Sequence, residues 1–109
     1  MIRQITPEAV KAKLDAGEPV YLLDVRQPEE YAICRLPGSR LIPLGELPYR
    51  AAEVEPPAGA AVVVYCHHGI RSLSGAAILQ QAAGLSEVYS LSGGIDAWSQ
   101  RIDPAVPRY

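Results

Sequence analysis

The residues of this chain best able to do chemistry are consecutive: Cys66-His67-His68-Gly69-Ile70-Arg71-Ser72. A strongly apolar run, Ala60 to Tyr65 (AAVVVY), comes directly before them, and a helix-like stretch rich in small residues follows. That pattern predicts a strand, a short loop and a helix, with Cys66 leaving the strand end. In open α/β sheets the active site lies beyond the carboxyl ends of the strands. A short loop at that place can turn backbone N–H groups inward around the sulfur, and the following helix N-terminus adds partial positive charge. Arg71, His67 and His68 would add more. Such surroundings favour a thiolate and hold an anion. The bland alternative is that Cys66 is a small buried hydrophobe, as free cysteines often are. The strand-end position, the glycine within the loop and the arginine closing it argue against that. Gly69 is expected to serve backbone geometry, since a tight loop can require a positive φ.

The elements that must position this loop alternate along the chain in a pattern of parallel α/β structure. Thr6-Pro7-Glu8 is an N-cap, a proline at the first helical position and an acid in the first turn. Val10 and Leu14 follow on one face and Gly17 ends that helix. Val20 to Val25 (VYLLDV) is nearly continuous apolar sequence, as expected of a central strand covered on both sides. Gln27-Pro28-Glu29-Glu30 starts a second helix, Pro37-Gly38 makes a turn, and Arg40-Leu41-Ile42 is a short strand. A short helix is expected within 44–54. Arg71 to Ala83 is a helix with Ser72, Ser74, Gly75, Ala76 and Ala77, small enough to bring its backbone close to the sheet. Gly84 caps it. Glu87 to Leu91 is a further strand. Ser92-Gly93-Gly94 turns into a last helix, where Ile95 and Trp98 share a face.

Composition is that of a globular protein. Of 109 residues, 49% are hydrophobic and 20% charged, which predicts one domain over residues 1–109 with its own core. A formal net charge of −2 offers no basic field for nucleic acid or anionic lipid. Neither is expected as a partner. Ala58 to Tyr65 is the longest strongly apolar run, far too short to span a bilayer. The first ten residues lack a secretory pattern, so the expected compartment is the reducing cytoplasm, with Cys34 and Cys66 both free.

The loop VYCHHGIRS resembles the active-site loop of the rhodanese family, Cys-x-x-Gly-x-Arg after an apolar strand. Three other stretches resemble that family in the right order. They are Leu23-Asp24-Val25-Arg26 with Pro28-Glu29-Glu30-Tyr31, then Leu36-Pro37-Gly38-Ser39 with Ile42-Pro43, and Leu91-Ser92-Gly93-Gly94-Ile95-Asp96-Ala97-Trp98. The resemblance implies a three-layer sandwich, a five-stranded parallel sheet flanked by helices. It also implies a sulfurtransferase that carries sulfane sulfur as a persulfide on catalytic Cys66. His67, His68, Gly69, Ile70 and Arg71 would bind the substrate. Thiosulfate or a persulfide would be the donor, cyanide or a thiol the acceptor, with no metal or organic cofactor. Expected partners are small sulfur donors and acceptors, with a sulfur-relay protein as the alternative. The sequence departs from the family where a histidine commonly precedes the Pro-Gly turn. Here the stretch is Cys34-Arg35-Leu36-Pro37-Gly38, and Arg35 would supply a positive edge to the mouth of the site.

Other residues keep two readings. Asp24 either orients Arg71 or caps the loop, or it pairs with Arg26 and serves the fold. Cys34 is either a resolving thiol or, the favoured reading, a half-buried small residue. Adjacent histidines rarely converge on one ion, and Cys66, His67 and His68 do not have a zinc spacing, so no metal is expected. Trp98 and Tyr89 are read as core. Phosphatases and arsenate reductases of the same fold have five residues between cysteine and arginine; here there are four. A carrier acting only with a protein partner, or a non-catalytic module, completes the alternatives.

Overall fold

The computed structural model describes residues 2–109. Its strands are β1 (Arg3–Ile5), β2 (Val20–Asp24), β3 (Arg40–Leu41), β4 (Ala61–Tyr65) and β5 (Val88–Leu91). Its helices are α1 (Pro7–Asp15), α2 (Pro28–Ile33), α3 (Leu47–Arg50), α4 (Arg71–Ala82) and α5 (Gly94–Arg101), with a 3-10 turn at Ala51–Glu53. The strands form one parallel sheet in the order β1-β5-β4-β2-β3.

β4 is central because every one of its residues is apolar enough to be buried. Alternate side chains point to opposite faces. Val62, Val64 and Cys66 join one core with Leu23, Val25, Ala76 and Leu79. Val63 and Tyr65 join the other with Ile5, Ile95 and Trp98. Full burial of a leucine-sized side chain contributes about 1.5–3 kcal/mol, and Leu23, Leu47, Leu79 and Leu91 all reach it. α4 lies close on the first face. A Cβ at Gly75 would stand 3.0 Å from Val64 Cγ1 and 3.2 Å from Val25 Cγ1, so the small-residue stripe does bring helix to sheet.

The helix starts follow the expected chemistry. Thr6 accepts a bond from the Ala9 N–H at 3.1 Å, with Pro7 beginning α1. Gln27 and Glu30 form a capping box, with Pro28 beginning α2. β1 was not anticipated. It is three residues long, and only Ile5 is buried.

The strand order places the candidate site. The connection after β2 runs to β3 on one side, and the connection after β4 runs to β5 on the other. The crevice therefore opens between the carboxyl ends of β2 and β4. Arg26 follows one of these strands and Cys66 the other.

Candidate active site

Cys66 follows Tyr65 at the end of β4 and is 1% exposed. The N–H of Gly69 donates to Sγ at 3.2 Å and the N–H of Ser72 at 3.3 Å. The thiol in turn lies 3.5 Å from Ser72 Oγ, which shares a 2.7 Å bond with Ser90 Oγ. Both serines are completely buried. The sulfur thus sits under the first turn of α4, facing two amides and the Ser72 hydroxyl, which together with its Ser90 partner can rotate to donate or accept.

The start of α5 holds the loop in this shape. The N–H of Ile95 donates to the Cys66 carbonyl at 2.9 Å, and that of Asp96 to the His67 carbonyl at 3.1 Å. With those carbonyls turned outward, the following amides can turn toward the sulfur. Two glycines make the approach possible. Gly69 has φ +94°, and Gly94 has φ +63°. A Cβ on Gly94 would collide with the carbonyl oxygens of Cys66 and His67.

Arg71 does not point alone toward the site. Its guanidinium donates to Glu30 Oε1 at 2.7 Å and to Oε2 at 2.9 Å. The Glu30 carboxylate also accepts from the Gln27 N–H at 3.0 Å and from the Tyr109 hydroxyl at 2.7 Å. Arg71, against partial burial and with help from Gln27 and Tyr109, holds the Glu30 carboxyl down at about 2. Glu30 raises the Arg71 guanidinium in return.

Behind this pair lies a second one. Arg26 and Asp24 are both 0% exposed. Asp24 Oδ1 accepts from the backbone N–H and Nε of Arg26, and Oδ2 accepts from Nη2 at 2.6 Å. Arg26 also donates to the Cys34 carbonyl at 2.6 Å and to the Tyr109 hydroxyl at 2.8 Å. Burial works against the guanidinium, but its bonds to Asp24 and Tyr109 outweigh that and raise its pKa. Of the two readings of Asp24, the structure has the pairing with Arg26.

Tyr109 roofs the loop. Its ring stacks on His67 with centroids 3.9 Å apart and planes 8° from parallel, and His68 stacks on the other side of His67. Burial, and then the neighbouring His68, lower the His67 pKa. Donor atoms of His67, His68 and Asp96 lie within 4.8 Å of one another. The Asp96 carboxylate of this group also accepts from Arg108 and Gln100. Ile70 is exposed at 76% and forms an apolar lip on the loop. Arg35 stands apart, with its guanidinium 4.5 Å above the Tyr31 ring. Cys34 packs in the core on the opposite sheet face from Cys66, which leaves the two thiols no direct route to each other.

Sequence reasoning singled out the loop but missed Glu30 and Tyr109 as partners of Arg71 and His67, and Ser72, backed by Ser90, as a partner of the sulfur. In the sequence, Glu30 stands out only as part of the second helix start.

Known proteins place this geometry. The family model of the rhodanese-like domain matches residues 6–101. A sulfurtransferase from Allochromatium vinosum is 36% identical over 106 residues, covering 97% of this chain and 96% of that protein. A probable adenylyltransferase/sulfurtransferase MoeZ from Mycobacterium tuberculosis is 34% identical over 96% of this chain, which spans only 26% of it. Among solved structures, a rhodanese-related protein from Thermoplasma volcanium superposes with a TM-score of 0.80 at 29% identity, covering 98% of this chain and 99% of its own. A family model that runs from α1 to the end of α5, and a relative matched almost end to end, settle the kinship: this chain belongs to the rhodanese-like domain family.

Proposed function

We propose that the protein is a sulfurtransferase that carries sulfane sulfur on Cys66. The observation that carries this reading is the strand-end sulfur held by the Gly69 and Ser72 amides. In the first half-reaction the Cys66 thiolate attacks the outer sulfur of a donor. With thiosulfate, the S–S bond breaks and sulfite leaves with the electron pair, so that a persulfide anion remains on Cys66. In the second half-reaction a nucleophile takes that outer sulfur. Cyanide forms thiocyanate, and the Cys66 thiolate returns. A persulfide is an anion on a short stalk, and preorganised N–H donors stabilise it without reorganising. Ser72 can turn its O–H toward an anionic sulfur while Ser90 turns its own toward Ser72. No proton need leave the site.

The four-residue spacing from Cys66 to Arg71 supports sulfur over phosphate chemistry. A phosphoryl group has three outer oxygens to satisfy and calls for a wider ring of donors. The relative MoeZ, named for adenylyl and sulfur transfer, supports a sulfur-relay protein as an alternative partner. Intact mass after incubation with thiosulfate, and separately with an alkyl hydropersulfide, tests the reading. A gain of one sulfur atom, reversed by cyanide, is expected. An unchanged mass with both donors, or efficient hydrolysis of an aryl phosphate, overturns it.

A further inference from the structure

The loop arginine that the sequence offers as a free cation is cancelled in the fold. Arg71 meets Glu30 in a two-bond fork, and bidentate pairs of this kind are the strong ones. Glu30 is fixed by two further donors, the Gln27 N–H and the Tyr109 hydroxyl. Tyr109 is itself anchored by Arg26, whose charge is balanced by Asp24. His67, above the loop, is biased toward its neutral form by burial and by His68. Among the described residues around the sulfur, each arginine therefore faces a carboxylate.

We propose that Glu30 is a specificity-determining residue, held in place by Tyr109, that biases the site against doubly charged donors. The inference rests on the reading of Cys66 as the sulfur carrier. Thiosulfate brings two negative charges to a sulfur that must itself be anionic. A free Arg71 would offset that repulsion; an Arg71 neutralised by Glu30 does so far less. A hydropersulfide of a neutral thiol brings no more than one charge. Its transfer balances without help from a cation: the Cys66 thiolate attacks the outer sulfur, the S–S bond breaks, and the thiol leaves as thiolate with the electron pair. The outer sulfur keeps its hydrogen on the new Cys66 persulfide.

The test compares thiosulfate with the hydropersulfide of N-acetylcysteamine, generated in situ, with cyanide as acceptor in both arms. The wild-type protein is expected to favour the hydropersulfide in kcat/KM. Glu30→Gln is expected to raise the ratio of thiosulfate to hydropersulfide kcat/KM about tenfold, mainly through the thiosulfate KM. Tyr109→Phe keeps the carboxylate but frees one side of it, and should shift the ratio the same way by a smaller factor. A wild-type measurement needs no variant: thiosulfate kcat/KM should hold or rise as salt rises, because screening eases the repulsion between the dianion and the anionic sulfur. A steep fall with salt would reveal an uncompensated positive field and overturn the proposal. So would an unchanged donor ratio in a folded Glu30→Gln protein. Failure of both donors to load sulfur onto wild-type Cys66 would instead remove the sulfurtransferase reading beneath it.

Discussion

The carboxyl ends of β2 and β4 lie side by side, and their polar groups are treated in opposite ways. At the end of β2, Asp24 and Arg26 are wholly buried, and the guanidinium is bonded to a carboxylate, two carbonyls and a phenol. At the end of β4, Cys66 is just as deeply placed but receives two amides and one hydroxyl contact. Its loop presents Ile70 and His68 to solvent. The first end is saturated and can only hold its shape. The second keeps donors that an anion on the sulfur can use. Burial alone therefore does not mark a functional group; what marks it is whether its partners leave room for a change of charge.

Removing the sulfur should give the largest effect. Cys66→Ser is expected to lower sulfur transfer more than a thousandfold, roughly the scale seen when a nucleophile is deleted, while stability moves by no more than about 1 kcal/mol. Residual transfer near the wild-type rate would erase the functional half of the contrast. Asp24→Asn should do the reverse. It leaves a buried guanidinium without its counter-charge, at a cost of about 3–5 kcal/mol, read as a fall in the urea midpoint. A loss under about 1 kcal/mol would show that Arg26 finds compensation elsewhere.

Gly94→Ala probes the joint between the two behaviours. The left-handed backbone and the collision with the Cys66 and His67 carbonyls should cost about 1–3 kcal/mol. Because those carbonyls set the direction of the loop amides, transfer should fall further than stability predicts. An alanine variant with full transfer would uncouple α5 from the cradle.

Glu30 gives the smallest effect and a signed pH dependence. Its folded pKa of about 2 lies below the reference 4.5, so it favours the folded state fully above about pH 4.5. That contribution is lost as pH falls from there toward 2, because the unfolded chain takes up the proton first. After allowing for solvent screening of the partly exposed pair, on the order of 1–2 kcal/mol is at stake. Urea unfolding of wild type and Glu30→Gln at pH 7 and pH 3 should show the gap between them narrowing at the lower pH. A constant gap would remove the charge linkage.

Much of this arrangement was legible because it is local in the chain. Cys66, Gly69 and Arg71 share one short segment, the caps at Thr6 and Gln27 are read within three residues, and β4 declares itself by unbroken apolar sequence. The partners that decide charge are not local. Arg71 reaches Glu30 across 41 positions and Tyr109 reaches Glu30 across 79. Such pairs exist only once α2 and the tail fold back over the sheet. Ser90 meets Ser72 by the same kind of return. β1 escaped notice because an edge strand with one buried residue shows no alternation to read. Asp24 stayed open between two roles because Arg26, two positions on, and Arg71, far along the chain, are both cations that a strand-end carboxylate could meet, and only the bonds to Arg26 separate them.

The bonds from Ile95 and Asp96 to the loop carbonyls have a use in isotope exchange. Neither amide belongs to the loop, yet each stays closed to solvent deuterium only while the Cys66 and His67 carbonyls are in place. The strand amides of β4 should exchange on the timescale of global unfolding, as those of core elements do. The amides of Ile95 and Asp96 exchange whenever the cradle lifts away from α5. Two backbone resonances outside the loop thus form a clock for its opening, readable without touching a single atom around the sulfur.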